Sequence, residues 1–225
     1  TILWDIVKVG MPASLSMVIM AMGQGVFNKI LINYSSETVA AYQVAGRIDM
    51  LVFLPIFAIA GSMTTLVGMF YGAKKMNALN QIIYYGIKCS FFITLISSLV
   101  VYFFAESFSS LFTQDQEIIN VSVGFLHLLC LVYPLVSIAI TSGRVMQGLG
   151  KGLPVLIITI VRVLGISAPL AVFFSAYLYK PVEWNWYAMM TGAVTSFLIA
   201  ISWMRIELKK VNNFKEGKLE PIIER

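Results

Sequence analysis

From Met50 to Gly72 the chain carries no charged residue. As a helix, that run is long enough to cross a hydrocarbon layer of ~30 Å. Arg47 and Asp49 stand just before it, and Lys74 and Lys75 close it. Pro55 is expected to bend the helix, and Gly68-Met-Phe-Tyr-Gly72 offers a small-residue face for close packing. A simple anchor has no use for an Arg, an Asp and a kink at one end of a span. A transport helix has.

Five further apolar runs accompany it. The first covers 11–33 and opens at Gly10-Met-Pro12, where proline suits a first helical turn. The third covers 81–104. The fourth covers 118–141 and is interrupted at Tyr133-Pro134. The fifth covers 153–179, with Pro154 at its start and Pro169 inside, and the last covers 184–204. The expected fold is all-α: a polytopic membrane protein forming a six-transmembrane-helix bundle over residues 1–208, followed by a short charged tail at 209–225. The chain begins with Thr1 rather than Met, so a fragment of a longer protein is expected.

Composition agrees. Of the 225 residues 59% are hydrophobic and 12% charged, about half the charged fraction of a soluble domain. The net charge of +5 is not a nucleic-acid footprint, because the basic residues sit in short loops beside apolar runs. Cys89 and Cys130 fall inside such runs without metal-site spacing and read as small apolar residues. No cofactor or metal is implied. Gly148-Leu-Gly-Lys-Gly152 lacks the full phosphate-loop pattern and reads as a turn. With one histidine and no H-E-x-x-H or G-x-S-x-G, no enzyme is expected.

Charge in the connections orients the bundle. One set of segments carries Lys8, Lys74 with Lys75, Arg144 with Lys151, and a tail with Arg205, Lys209, Lys210, Lys215, Lys218 and Arg225. The alternate set carries Glu37, then Glu106, Asp115 and Glu117, then Lys180 with Glu183. Both termini are therefore expected in the cytoplasm, with the bundle in the plasma membrane. Trp184, Trp186 and Tyr187 are placed at the outer aromatic belt, Trp4 and Trp203 at the inner one.

Gly10-Met-Pro12, Ala40-Ala-Tyr-Gln-Val-Ala-Gly-Arg-Ile-Asp49, Val67-Gly-Met-Phe-Tyr-Gly-Ala73, Leu111-Phe112 with Asp115 behind it, and Gln147-Gly-Leu-Gly150 together resemble the multidrug and toxic compound extrusion (MATE) family. The resemblance reaches to about Met204. It implies the second six-helix lobe of a twelve-helix antiporter, with an N-terminal six-helix lobe as its missing partner. Such a protein would export organic cations or other amphipathic compounds in exchange for H+ or Na+, by alternating access. One branch of the family carries coupling acids in the first and fourth spans of this lobe. Here the first span reads Met17-Val-Ile-Met20 and the fourth has no acid. The chain looks more like the branch whose coupling acid lies in the first lobe, which leaves Asp49 as the one acid at membrane depth.

Charged groups inside spans are costly and often functional, with snorkelling as the alternative. In the expected orientation Arg162 and Lys88 can reach back to inner headgroups. Lys29 instead leans into the membrane, toward a polar neighbour such as Asp49. Ser16, Met20, Gln24 and Asn28 share a helical face. That stripe either bonds a neighbouring helix or lines a substrate cavity, where flexible methionines accept many shapes. Arg47 and Asp49 are two residues apart and cannot pair with each other. A short turn between the first two spans sets Arg47 level with Gln24 and predicts a cluster of Gln24, Asn28, Lys29, Arg47 and Asp49. His127 either carries a proton or bridges to the next helix as a neutral ring. The competing readings are a lipid-linked-saccharide flippase with a more cationic cavity, an intramembrane lipid enzyme, and a non-transporting subunit.

Overall fold

A computed structural model describes residues 2–215. It contains α1 (Ile2–Leu31), α2 (Ser36–Gly72), α3 (Met76–Ser110), α4 (Gln116–Cys130), α5 (Tyr133–Gly148), α6 (Leu153–Ile160), α7 (Ala168–Val172) and α8 (Glu183–Lys215). Two π-helical stretches, Val161–Ser167 and Phe173–Tyr177, flank α7, so the fifth span is one continuous element of mixed winding. Five elements are long and apolar enough to cross a membrane. The pair α4 and α5, bent by 59° at Leu131-Val132, counts together as the fourth span in chain order and brings the total to six. Lys218 and Arg225 lie outside the described residues.

Local chemistry sets the helix ends. Ser35 caps α2, its Oγ accepting the Thr38 N–H at 3.1 Å. The Asp115 carboxylate accepts the N–H groups of Glu117 and Ile118 at the start of α4. Such caps satisfy donors that a helix start leaves open. One expectation is corrected here. Pro12 sits inside α1 rather than in its first turn, because the helix extends upstream to Ile2. Pro55 lies within a helix that runs unbroken from Ser36 to Gly72. The last helix continues through Lys215.

At the centre, α5 packs against α2, α3 and α8, while α2 also packs on α3 and α4. Small polar residues let these backbones approach closely. Thr141 of α5 donates to Ser90 of α3 at 2.9 Å, and Thr94 donates to the Ser90 carbonyl at 2.6 Å. Gly148 of α5 lies so close to α2 that a Cβ there would sit 2.7 Å from the Thr64 carbonyl and 2.8 Å from the Val67 Cβ. Gly68 takes part in the same contact, but Gly72 touches no neighbour, so only half of the expected small-residue face is used. Gly150 turns the chain toward α6 with φ +80°, a conformation that favours glycine. Gly148–Gly152 is thus a turn.

Two cores divide the bundle lengthwise. Around the α1–α2 turn, Phe27, Tyr42, Phe125, Tyr133 and Trp186 join aliphatic residues. The opposite end is built from Met63, Val67, Leu79, Ile83, Val145, Met146 and Met204. Trp186 is 1% exposed, stacked on Tyr42 and edge-on to Phe125. It is a core residue and not part of the aromatic belt expected for it, since its side of α8 faces inward while Trp184 and Tyr187 stay exposed. At the far end the carboxylate of Glu207, 5% exposed, accepts from Lys151 and also from Lys210 at 3.3 Å.

Candidate functional site

The interior carboxylate and the broken span meet. Asp49 follows the fully buried Ile48 on α2, and its carboxylate accepts the hydroxyl of Tyr133. Tyr133 opens α5, directly after the break and directly before Pro134. Proline has no N–H, so the carbonyl of Cys130, four residues earlier, loses its helical donor. Ser98 of α3 supplies the replacement, its hydroxyl donating to that carbonyl. The break is therefore held from two sides, by Ser98 on α3 and by Asp49 on α2.

The pairing expected between Lys29 and Asp49 is not made. Lys29 is exposed, and among the described residues the ion pairs are those of Glu207 with Lys151 and Lys210. The reason lies in the packing. After a short turn α1 leaves α2 and lies mainly on α6 and α7, so little of α1 faces α2. Near the turn the two helices do touch, with Gln43 donating to Asn28 at 3.0 Å. That contact keeps the expected register, since Gln43 and Asn28 lie one helical turn from Arg47 and Gln24 respectively. Arg47 is exposed, its guanidinium 5.7 Å from the Phe112 ring centroid. Of the expected cluster, Asn28 is bonded to Gln43, while among the described residues no hydrogen bond or ion pair joins Gln24, Lys29, Arg47 and Asp49 to one another.

On α1 the expected stripe divides. Met20 and Gln24 are exposed and Asn28 is half-buried. Ser16 is buried and donates to the Pro12 carbonyl of its own helix at 2.8 Å. Met11, Met17 and Met22 are exposed with Met20. His127 of α4 stands 3.1 Å from the Tyr102 carbonyl of α3, its ring 4.5 Å from the Tyr102 ring. A carbonyl can only accept, so Nε2 carries the hydrogen. This is the helix-bridging geometry, and it lies two residues from Phe104, where α3 departs from helical dihedrals. Arg162 is half-buried in the π-helical stretch. Its backbone packs on Gly192 of α8, and among the described residues no carboxylate pairs with it.

Three partners escaped the sequence reading. Tyr133 was legible only as half of an interruption, Ser98 as one hydroxyl among many, and Gln43 as part of a motif. The usable signal is the X-Pro step inside an apolar run: it orphans a known carbonyl, whose donor must be sought on a neighbouring helix. Among the described residues no group of three His, Cys, Asp or Glu is placed to hold a metal.

A bundle of apolar helices with a broken span and charged groups inside its spans defines a polytopic α-helical membrane protein of transporter architecture. The profile of the MatE family matches residues 12–173, most of the chain, and the chain belongs to that family. Two relatives are probable multidrug resistance proteins. NorM of Thermotoga maritima is 25% identical over 190 residues, covering 84% of this chain and 41% of the relative. YoeA of Bacillus subtilis is 23% identical over 205 residues, covering 91% and 44%. A solved MOP-superfamily transporter from Pyrococcus furiosus superposes with a TM-score of 0.88 at 28% identity, covering 94% of this chain and 48% of that one. An outward-facing multidrug resistance MATE transporter gives 0.87 at 28%, with the same coverage. The chain thus spans about half the length of the proteins it resembles.

Proposed function

We propose that this chain is the second lobe of a secondary antiporter that moves amphipathic or cationic compounds out of the cell in exchange for H+ or Na+. Both chain ends would lie in the cytoplasm, and a six-helix N-terminal lobe would close the cavity. The observation that carries the reading is the family match over a bundle whose bonded interior carboxylate sits at a broken span. Broken helices with a carboxylate nearby are a recurrent setting for coupling ions in secondary transporters. Met20 and Gln24, with the exposed methionines beside them, form the adaptable wall that a varied substrate needs. Asn28 and Gln43 brace its end, and Lys29, Arg47 and Arg162 set its charge.

That charge supports a second reading. Lys29, Arg47 and Arg162 outnumber Asp49 in the spans, which suits anionic amphiphiles such as lipid-linked saccharides. The Pyrococcus furiosus transporter is itself described as having a binding pocket of reverse polarity that suggests a different function. Both readings are tested with the full-length protein in proteoliposomes, using a cationic and an anionic dye under an imposed pH or Na+ gradient. Gradient-driven export of the cationic dye is the expected result. Export of the anionic dye alone selects the second reading, and gradient-independent leakage of both overturns antiport.

A further inference from the structure

We infer that Tyr133 is a positioning residue that couples the charge of Asp49 to the bend of the fourth span. The halves α4 and α5 meet at 59°, and their junction has lost one helical hydrogen bond at Pro134. Ser98 restores that bond to the Cys130 carbonyl from α3, and this contact is neutral. Tyr133 is different, because its hydroxyl donates to a carboxylate on another helix. A bond from a neutral donor to an ionised acceptor is roughly twice as strong as one between neutral groups. The tie between α5 and α2 is therefore strong while Asp49 is charged, and weakens when the carboxylate takes up a proton from water. The Ser98 tie stays the same in both states. One side of the break is then a fixed pivot and the other a charge-sensitive latch.

The surroundings leave the latch to this pair. The other titratable groups on elements packed along this half of α2 include Lys29 on α1, Glu37, Tyr42 and Arg47 on α2, Tyr102 and Glu106 on α3, Glu117, His127 and Cys130 on α4, and the half-buried Arg162 of the fifth span, within electrostatic reach of Tyr42. Lys29 and Glu106 are exposed, and Arg47 lies over Phe112. Tyr42 is held in the aromatic stack with Trp186, and His127 is bonded to the Tyr102 carbonyl. Cys130 is buried and contributes its carbonyl to Ser98. Among the described residues, Tyr133 is the hydrogen-bond partner of Asp49. An aspartate at this place without the phenol would change charge without moving a helix. A phenol without the aspartate would brace the helix without sensing charge.

The inference rests on the ion-exchange reading for its purpose, but its test needs no substrate. In the full-length protein Cys89 and Cys130 are replaced by Ser and Ala, and spin labels are placed at Leu131→Cys and Met50→Cys. Both sites are 66% exposed, one at the break and one on α2. Inter-label distances are measured at about pH 3.5 and about pH 8, an interval that spans the ordinary aspartate value of about 3.9. The expected result is a distance distribution that shifts with pH in the parent, and loss of that shift in Tyr133→Phe. Asp49→Asn should hold the acid-form distribution at both pH values. A shift retained in Tyr133→Phe, or no shift in the parent, overturns the inference. Should Tyr133→Phe fail to accumulate, Asp49→Asn decides alone, since a pH-dependent shift that survives it also overturns the idea. A protein that shows the shift yet exports neither dye contradicts the proposed function and leaves the latch standing.

Discussion

The two ends of this bundle are built on opposite principles. At the end holding Gly148 and Glu207, helices are locked by backbone contact and by a buried carboxylate with two lysines. At the end holding the α1–α2 turn, one span is broken, another winds partly as a π-helix, and a single phenol ties the break to Asp49. Rigid contact at one end and replaceable side-chain bonds at the other is the arrangement expected of a lobe that pivots about one end and rearranges at the other. Stability and transport should therefore respond to substitutions at different ends.

The largest expected effect is at the locked end. Gly148→Val drives a side chain into the Thr64 carbonyl and Val67 and should cost about 3 kcal/mol, read as loss of folded yield. At the other end Gly124→Ala meets nothing within 4 Å of the new Cβ and should leave yield unchanged or slightly higher. If both are tolerated, the backbone contact is not what locks α5 to α2.

Next in size is Lys151→Met. It leaves Glu207 buried with Lys210 at 3.3 Å as its remaining partner, a loss of about 2 kcal/mol on the scale of a stranded buried polar group. Adding Glu207→Leu should recover much of that loss, because removing both partners is milder than removing one. Thermal unfolding in detergent measures both variants, and a double variant less stable than the single would show that the ion pair is a net stabiliser. Ser98→Ala should cost about 1 kcal/mol by stranding the Cys130 carbonyl. The same assay reads it, and an unchanged midpoint would mean that the break needs no pivot.

How much of this was legible follows from where each signal resides. Span number and helix type come from long apolar runs, and the structure has them. The register of α1 against α2 was also legible, because a short turn and a fixed rise per residue leave little freedom, and the Gln43–Asn28 bond sits at that register. The partner of Asp49 was not. Lys29 is near in sequence and opposite in charge, but pairing depends on which helices pack, and α1 lies on the fifth span. Tyr133 is remote in sequence and neutral, so neither charge nor spacing points to it. Trp186 shows the same limit, since a belt residue and a core residue on one helix differ only in the side they face.

Last in expected effect on the fold is Gln43→Leu, which removes an exposed bond and should change stability by less than about 0.5 kcal/mol. A larger loss in thermal unfolding would make that contact a structural tie.

The most direct measurement is dye efflux by the full-length protein carrying Asp49→Asn, set beside its folded yield. Asn keeps the size of the side chain and removes the charge. The account predicts gradient-driven efflux reduced by about tenfold or more, a loss of transition-state stabilisation of at least ~1.4 kcal/mol, with folded yield close to that of the parent. Efflux at the parent rate would place the coupling charge elsewhere and contradict the division of labour between the two ends.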